Sequence, residues 1–202
     1  MSRIHYTVEH CAIVVLAAGM SSRLRSPKQL LRYQGKSLVQ YAVDTALQTT
    51  MRPVVVVVGA NSDAVKKEIE RMNVEIIENK EWEEGMASSI RSGLNYAQKK
   101  DDKVDGIIFM VCDQPYVNGS LLESLLQEQH KTGLPVVASN YDDKLGTPAL
   151  FHKVFFNELM ELKGDTGAIK LIKQHEDLVT SVAFPKCIID IDTKKDYEDL
   201  LQ

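Results

Sequence analysis

Five consecutive valines, Val54–Val58, restrict the fold of this chain more than any other segment. A β-branched run with no polar member fits a strand that is buried on both faces, as strands inside a parallel sheet are. Similar short apolar runs recur along the chain, separated by longer segments with helical spacing. This alternation is typical of repeated strand, helix and strand units, so the sequence predicts an α/β sandwich with a mainly parallel sheet.

The predicted elements follow one another without an internal repeat or a low-complexity linker. Strands are predicted at residues 12–18, 54–58, 74–77, 106–111, 135–139, 147–151, 180–183 and 188–191. Helices are predicted at residues 38–47, 64–72, 88–99, 120–130 and 168–174, and a last helix capped by Thr193 runs through residue 201. A chain of 202 residues can bury a sizeable core, so we expect residues 1–202 to form one domain.

Composition narrows the function classes. The net charge is −4 and the pI is about 5.8, with no extended basic stripe, so a nucleic-acid partner is not expected. The apolar runs at residues 11–18 and 53–60 are shorter than the roughly 20 residues of a membrane span. Cys11, Cys112 and Cys187 form no CxxC pair, which argues against a disulfide framework or a zinc site. We expect a cytoplasmic protein without a membrane partner.

A basic loop follows the first predicted strand. Between residues 19 and 36 there is no Asp or Glu, and five basic residues occur: Arg23, Arg25, Lys28, Arg32 and Lys36. Ala17, Ala18 and Gly19 are small enough for backbone N–H groups to approach oxyanions at the carboxyl edge of the sheet. The loop matches neither GxxxxGK[ST] nor GxGxxG. Phosphate binding and a solvated charged surface both stay open at this point.

Acidic residues follow two of the predicted strands. Asp113 directly follows a buried strand that Pro115 ends, so its carboxylate is expected at the same sheet edge, where it could bind Mg²⁺ or accept backbone N–H groups. Asp190 and Asp192 are two residues apart and would share one face of the last strand. Two such charges are costly unless a cation or a helix cap absorbs them, and Asp192 or Thr193 could supply that cap.

A glycine turn at Gly85 precedes a helix whose first turn contains Ser88 and Ser89. Hydroxyl groups at a helix N-terminus can hydrogen-bond a base or a sugar, and they can equally cap the helix. The sequence alone leaves both interpretations open.

Together, these segments resemble the MobA-like nucleotidyltransferases, and within them most closely the molybdenum cofactor cytidylyltransferases. The resemblance covers nearly the whole chain and is carried, in order, by LAAGMSSRLRSPKQLL, EGMASSIRSGL, CDQP, GTPALF, GDTGA and DIDT. It implies a three-layer α/β/α fold with a Rossmann-like, mainly parallel mixed sheet of the nucleotide-diphospho-sugar transferase type. It also implies Mg²⁺-dependent nucleotidyl transfer.

The resemblance further implies roles for individual residues. The catalytic residues would be Arg23, Lys28 and Asp113. The nucleotide-binding residues would be Leu16, Ala17, Ala18, Gly19, Arg23, Lys28, Asn79, Gly85 and Ser89, of which Ser89 would contact the base. The metal ligands would be Asp113 and either Asp192 or Asp190, with Asp192 preferred. The acceptor would be bordered by Gly146, Pro148 and Asp165, although Asp165 could equally be a helix cap. Arg25 stands where the family usually has a glycine, so the local shape of the loop is expected to differ.

The implied reaction is attack by the terminal phosphate of a molybdopterin-type cofactor on the α-phosphorus of CTP, with release of pyrophosphate. Guanylyl-transferring members typically read LAGG, so Ala18 favours CTP over GTP. Alternatives that stay open are use of GTP, transfer to a sugar or polyol phosphate, and a non-catalytic carrier that hands the molybdenum cofactor to an apo-molybdoenzyme.

Overall fold

A seven-stranded mixed sheet lies at the centre of the molecule. The structure is a computed structural model that describes residues 4–21, 24, 26–142, 144–184 and 190–201. In chain order the strands are β1 (Cys11–Ala17), β2 (Arg32–Tyr33), β3 (Lys36–Ser37), β4 (Val54–Val58), β5 (Glu75–Glu78), β6 (Gly106–Val111), β7 (Val136–Tyr141), β8 (Lys144–His152) and β9 (Val179–Ala183). The strands β2 and β3 form a separate antiparallel hairpin.

The order of strands across the central sheet is β5-β4-β1-β6-β8-β7-β9. Parallel pairing joins β1 to both β4 and β6, β4 to β5, and β7 to β9, whereas β8 is antiparallel to β6 and to β7. The predicted mainly parallel, mixed α/β sheet is therefore confirmed. The valine run forms β4, and all five of its residues are buried, as a strand covered on both faces requires.

Helices cover both faces of the sheet and complete three layers. They are α1 (Leu38–Leu47), α2 (Ser62–Ile69), α3 (Met86–Lys100), α4 (Gly119–Thr132), α5 (Phe156–Glu161), α6 (Ile169–Gln174) and α7 (Lys194–Leu200). The apolar residues of α1, α2 and α4 pack on the face of β1 that carries Ile13 and Val15, and those of α3, α5 and α6 pack on the face that carries Val14. Gly93 lets α3 approach closely, because a Cβ there would lie 2.5 Å from Val14 Cγ1.

Side-chain caps explain where two of these helices begin. At α1, Gln40 N donates to Ser37 Oγ at 3.4 Å and Ser37 N donates to Gln40 Oε1 at 2.9 Å, which is a capping box. Thr193 and Asp196 form the same arrangement at α7, so the predicted Thr193 cap is confirmed. Within the described ranges, no helix is long and apolar enough to cross a membrane.

A 3-10 turn precedes α5, and one predicted strand differs from the structure. The 3-10 turn is Lys153–Phe155, where His152 Nδ1 accepts from Val154 N at 3.3 Å, and α5 follows it directly. The strand predicted at residues 188–191 falls partly on residues 188 and 189, which lie outside the described residues. Asp190 and Ile191 belong to no strand of the described chain, since Ile191 N donates to Asp113 O at 3.1 Å instead of entering a ladder.

Candidate active site

A cavity of about 450 Å³ opens where β1 and β6 end. These two strands are parallel neighbours, so the segments that follow Ala17 and Val111 leave the sheet at the same edge, where open α/β sheets bind ligands. Predicted site residues that line the cavity are Leu16, Ala17, Ala18, Gly19, Lys28, Gly85, Ser89, Asp113 and Asp165.

The segment after β1 is held in place by Gln29, a buried residue that the sequence analysis did not select. Its Nε2 donates to Ala17 O at 3.1 Å and to Gly19 O at 2.6 Å. The nearby Ser21 has a positive φ of 58°, and its Oγ accepts from Lys28 N at 2.9 Å. These bonds fix the return of the chain toward the sheet. The sequence signal that could have identified Gln29 is its position, an amide residue between a basic residue and two leucines.

Lys28 places its ammonium group between two carboxylates. Its Nζ makes an ion pair with Asp113 Oδ2 and lies 3.2 Å from Asp192 Oδ1. Burial alone would lower the pKa of Lys28, but the negative charge of Asp113 and the hydrogen bonds to both acids outweigh burial and raise that pKa. Lys28 is therefore held in its charged form beside the cavity.

Asp190 also joins this acidic group, although not by the strand pairing predicted from the sequence. Its Oδ1 accepts from Gln114 Nε2 at 3.0 Å, and burial, together with the charges of Asp113 and Asp192, raises its pKa. Because Thr193 caps α7, the capping role considered for Asp192 is wrong, and the Asp192 carboxylate turns toward Lys28.

The residues present fit a divalent cation. In the part of the chain that the structure describes, there is no preformed group of three or more acidic, His or Cys ligands. However, Asp113 and Asp192 already converge on one positive charge, the Lys28 ammonium. Two carboxylates are the set through which Mg²⁺ usually binds, with water and substrate phosphates completing the coordination.

The turn before α3 forms the opposite side of the cavity. Gly85 has a φ of 113°, a backbone conformation that residues with a side chain rarely adopt. A Cβ at this position would also clash with Gly164 and Asp165. Ala87 N also donates to Gly164 O at 3.0 Å, so this turn and the GDTGA loop pack together. Asp165 does not cap α6, because that helix starts after Ala168. The helix-cap interpretation of Asp165 is therefore wrong.

Three further predicted residues that the structure describes do not line the cavity. Gly146 and Pro148 lie in β8, where Pro148 O accepts from Ser139 Oγ at 2.7 Å. Asn79 lies behind the wall, where its Nδ2 donates to Ser88 Oγ at 2.7 Å and to Ser89 Oγ at 3.0 Å. Arg23, like Ser22 and Arg25, lies outside the described residues, so its predicted phosphate contact stays a prediction.

The cavity therefore has two chemically different ends. One end carries Lys28 and Asp113 with the backbone of Gly19, and a Cβ on Gly19 would meet no described atom within 4 Å other than those of Gly19 and its two chain neighbours. The other end is lined by Trp82, Met86 and Ser89, which offer apolar surface and one hydroxyl, and two acids, Glu83 and Asp165, also line the cavity. Such a pocket suits a ligand with a charged phosphate chain and a neutral ring.

The sheet is mixed and mainly parallel, helices cover both of its faces, and the cavity lies at the ends of β1 and β6. These features define a Rossmann-like α/β protein of the nucleotidyltransferase type. The chain belongs to the MobA-like NTP transferase domain family, whose model matches residues 13–178.

Two proteins of similar sequence carry different functional names. Nicotine blue oxidoreductase of Paenarthrobacter nicotinovorans is 37% identical over 176 residues, which cover 82% of this chain and 83% of that protein. Bifunctional protein GlmU of Acinetobacter baumannii (strain AYE) is 27% identical over 168 residues, which cover 82% of this chain and only 33% of GlmU.

Solved structures show the same fold. The crystal structure of Rv0371c from Mycobacterium tuberculosis H37Rv has a TM-score of 0.83 and 31% identity, and the match covers 97% of this chain and 98% of that one. A crystal structure of Rv0371c in complex with manganese has a TM-score of 0.80 and 28% identity, covering 95% of this chain and 98% of that one.

Proposed function

We propose that this protein transfers a cytidylyl group from CTP to the terminal phosphate of a molybdopterin-type cofactor, with release of pyrophosphate. The observation that carries the proposal is the convergence of Lys28, Asp113 and Asp192 beside the open backbone of Gly19. This arrangement offers positive charge for a triphosphate and two carboxylates for Mg²⁺ at one place.

The reaction needs no protein nucleophile, because the attacking phosphate of the acceptor is already an anion. An acceptor oxygen would form a bond to the α-phosphorus in line, while the bond from that phosphorus to the oxygen bridging it to the β-phosphate breaks and its electron pair leaves with pyrophosphate. The protein would contribute positioning and charge neutralisation, as in other phosphoryl-type transfers.

Each cavity residue has a defined part in this scheme. Lys28 would neutralise charge on the triphosphate, and backbone N–H groups around Gly19 would face its oxygens. Asp113 and Asp192 would hold Mg²⁺, which supplies neutralisation of phosphate charge when bound. Arg23 would add a further phosphate contact, and Ala18 favours CTP over GTP by the family pattern.

The test is pyrophosphate release with CTP or GTP, Mg²⁺ and three acceptors: the molybdenum cofactor, a sugar phosphate and a polyol phosphate. We expect release with CTP and the molybdenum cofactor, and a loss of about 100-fold or more in Asp113→Asn. Asp63→Asn, a change of an exposed acid on α2, is the matched control and should leave the rate unchanged. Wild-type turnover in Asp113→Asn would refute the proposed role of this site.

Two other outcomes would redirect the assignment. Release with a sugar or polyol phosphate alone would keep the reaction and change the acceptor, whereas CTP binding without any release would favour a cofactor carrier that serves an apo-molybdoenzyme.

The 37% identity to nicotine blue oxidoreductase favours an oxidoreductase as a second candidate. That candidate predicts a change in the absorbance of nicotine blue when the purified protein is supplied with an electron donor.

A further inference from the structure

Asn79 is a buried amide that no step of the proposed reaction uses. It is 3% exposed and is surrounded by three polar partners. Its Oδ1 accepts from Glu81 N at 3.0 Å, and its Nδ2 donates to Ser88 Oγ at 2.7 Å and to Ser89 Oγ at 3.0 Å. All hydrogen-bonding capacity of the amide nitrogen is therefore used by the two serines.

The orientation of this amide follows from the chemistry of its partners. The backbone N–H of Glu81 can only donate, so the Asn79 atom that faces it must be the oxygen. The reversed amide would set two N–H donors against each other and would leave a buried donor unpaired. The Asn79 nitrogen must therefore face the two serine hydroxyls.

This orientation fixes the direction of the Ser89 hydroxyl. Both serine oxygens accept from Asn79, so each hydroxyl proton must be used elsewhere. Ser88 Oγ donates to Gly85 O at 2.8 Å. Among the described residues, Ser89 Oγ has no acceptor for its proton, and Ser89 lines the cavity at the end formed by Trp82 and Met86. The wall at this point presents an O–H donor.

We propose that Asn79 is a positioning residue for nucleobase selection, because it forces Ser89 to donate a hydrogen bond to an acceptor atom on the base. The proposal rests on the proposed nucleotide-binding function of the cavity. Cytosine carries two adjacent acceptors, the exocyclic O2 and the ring N3, whereas guanine presents the donors N1–H and N2–H₂ on the corresponding edge, with O6 as its one acceptor there. A pyrimidine with acceptors at this edge is thus the ring that the wall fits.

Asn79→Asp tests the proposal because it reverses the hydrogen-bonding polarity with almost no change of shape. The new carboxylate could accept hydrogen bonds from Glu81 N and from both serine hydroxyls, so its buried charge would be stabilised by three donors. Ser89 would then have to donate inward and would present only lone pairs to the cavity. Asn73→Asp, at an exposed position, introduces the same change as a matched control.

The measurement is isothermal titration calorimetry with CTP and, separately, with inorganic tripolyphosphate, which fills the charged end alone. We expect Asn79→Asp and Ser89→Ala each to weaken CTP binding about tenfold and to leave tripolyphosphate binding unchanged. The double variant should bind CTP no more weakly than Ser89→Ala does, because both changes remove the same hydrogen bond. Asn73→Asp should match the wild type.

Several results would overturn the proposal. Equal weakening of CTP binding and of tripolyphosphate binding in Asn79→Asp would indicate a general structural role. Unchanged CTP affinity in Asn79→Asp, or additive losses in the double variant, would show that Asn79 does not act through Ser89. If Asn79→Asp fails to fold, unchanged CTP affinity in Ser89→Ala alone refutes the idea. Failure of the proposed function gives a different pattern, in which the wild type binds CTP no better than tripolyphosphate.

Discussion

Removal of the Lys28 charge should make the protein bind divalent metal more tightly and turn over more slowly. The ammonium group sits between Asp113 and Asp192, the carboxylates proposed to hold the metal, so ammonium and metal compete for the same oxygens. Lys28→Met keeps a side chain of similar length and removes the positive charge.

The size of the effect follows from the geometry. At the 3.2 Å between Lys28 Nζ and Asp192 Oδ1, Coulomb's law with an effective dielectric constant of about 20 gives an attraction of about 5 kcal/mol. The Asp192 side chain is 46% exposed, so solvent screening and desolvation reduce the net contribution. Hydrogen bonds to charged groups are worth about 1.5 to 3 kcal/mol net, which corresponds to a roughly 10- to 150-fold increase in metal affinity.

The assay is Mn²⁺ binding without nucleotide, followed by the electron paramagnetic resonance signal of the free ion. The matched control is Lys36→Met, because Lys36 forms an exposed ion pair of 2.6 Å with Asp44 away from the cavity and should not affect Mn²⁺ binding. Turnover of Lys28→Met should fall about 100- to 1,000-fold, since a phosphate-stabilising group is lost. Mn²⁺ affinity equal to or weaker than that of the wild type would refute the competition.

Three further predictions concern the fold around the site. Gln29→Ala should lower the free energy of unfolding by about 1 to 3 kcal/mol in urea titrations and weaken CTP binding, because the hydrogen bonds to Ala17 O and Gly19 O are lost; unchanged stability and binding would contradict this. Leu94→Ala should cost about 2 to 5 kcal/mol by the same measurement, since Leu94 is a fully buried residue of α3, and a smaller loss would mean that the core collapses around it. Burial lowers the pKa of His152 below its ordinary value of 6.5. As the pH falls through 6.5, the unfolded chain therefore binds more protons than the folded chain, and the free energy of unfolding should decrease. His152→Gln should flatten that decrease, and an identical pH profile would rule out the assignment.

Much of the fold could be predicted from the sequence because strand burial leaves a local pattern. The valines of β4 and the apolar run before Asp113 identify strands without knowledge of their neighbours. The antiparallel direction of β8 left no such signal, since direction depends on pairing with β6 and β7, which are distant in sequence.

The site was partly predictable for the same reason. Asp113 and Gly19 were expected at one sheet edge because both follow parallel strands, and both line the cavity. The contact of Lys28 with Asp192 joins residues 164 positions apart, and no local pattern encodes it. Gln29 was missed because its role is to satisfy backbone carbonyls, which depends on the path of the folded loop.

The hydrogen bond from Ile191 N to Asp113 O implies an order in which the site is assembled. The seven strands of the central sheet lie between Cys11 and Ala183, so the sheet can form before the segment that carries Asp192 has docked on it. At that stage Lys28 and Asp113 can already pair, but the second carboxylate of the proposed metal site is still absent. The proposed metal site would therefore be completed only in a late folding step, when Ile191 docks against the sheet.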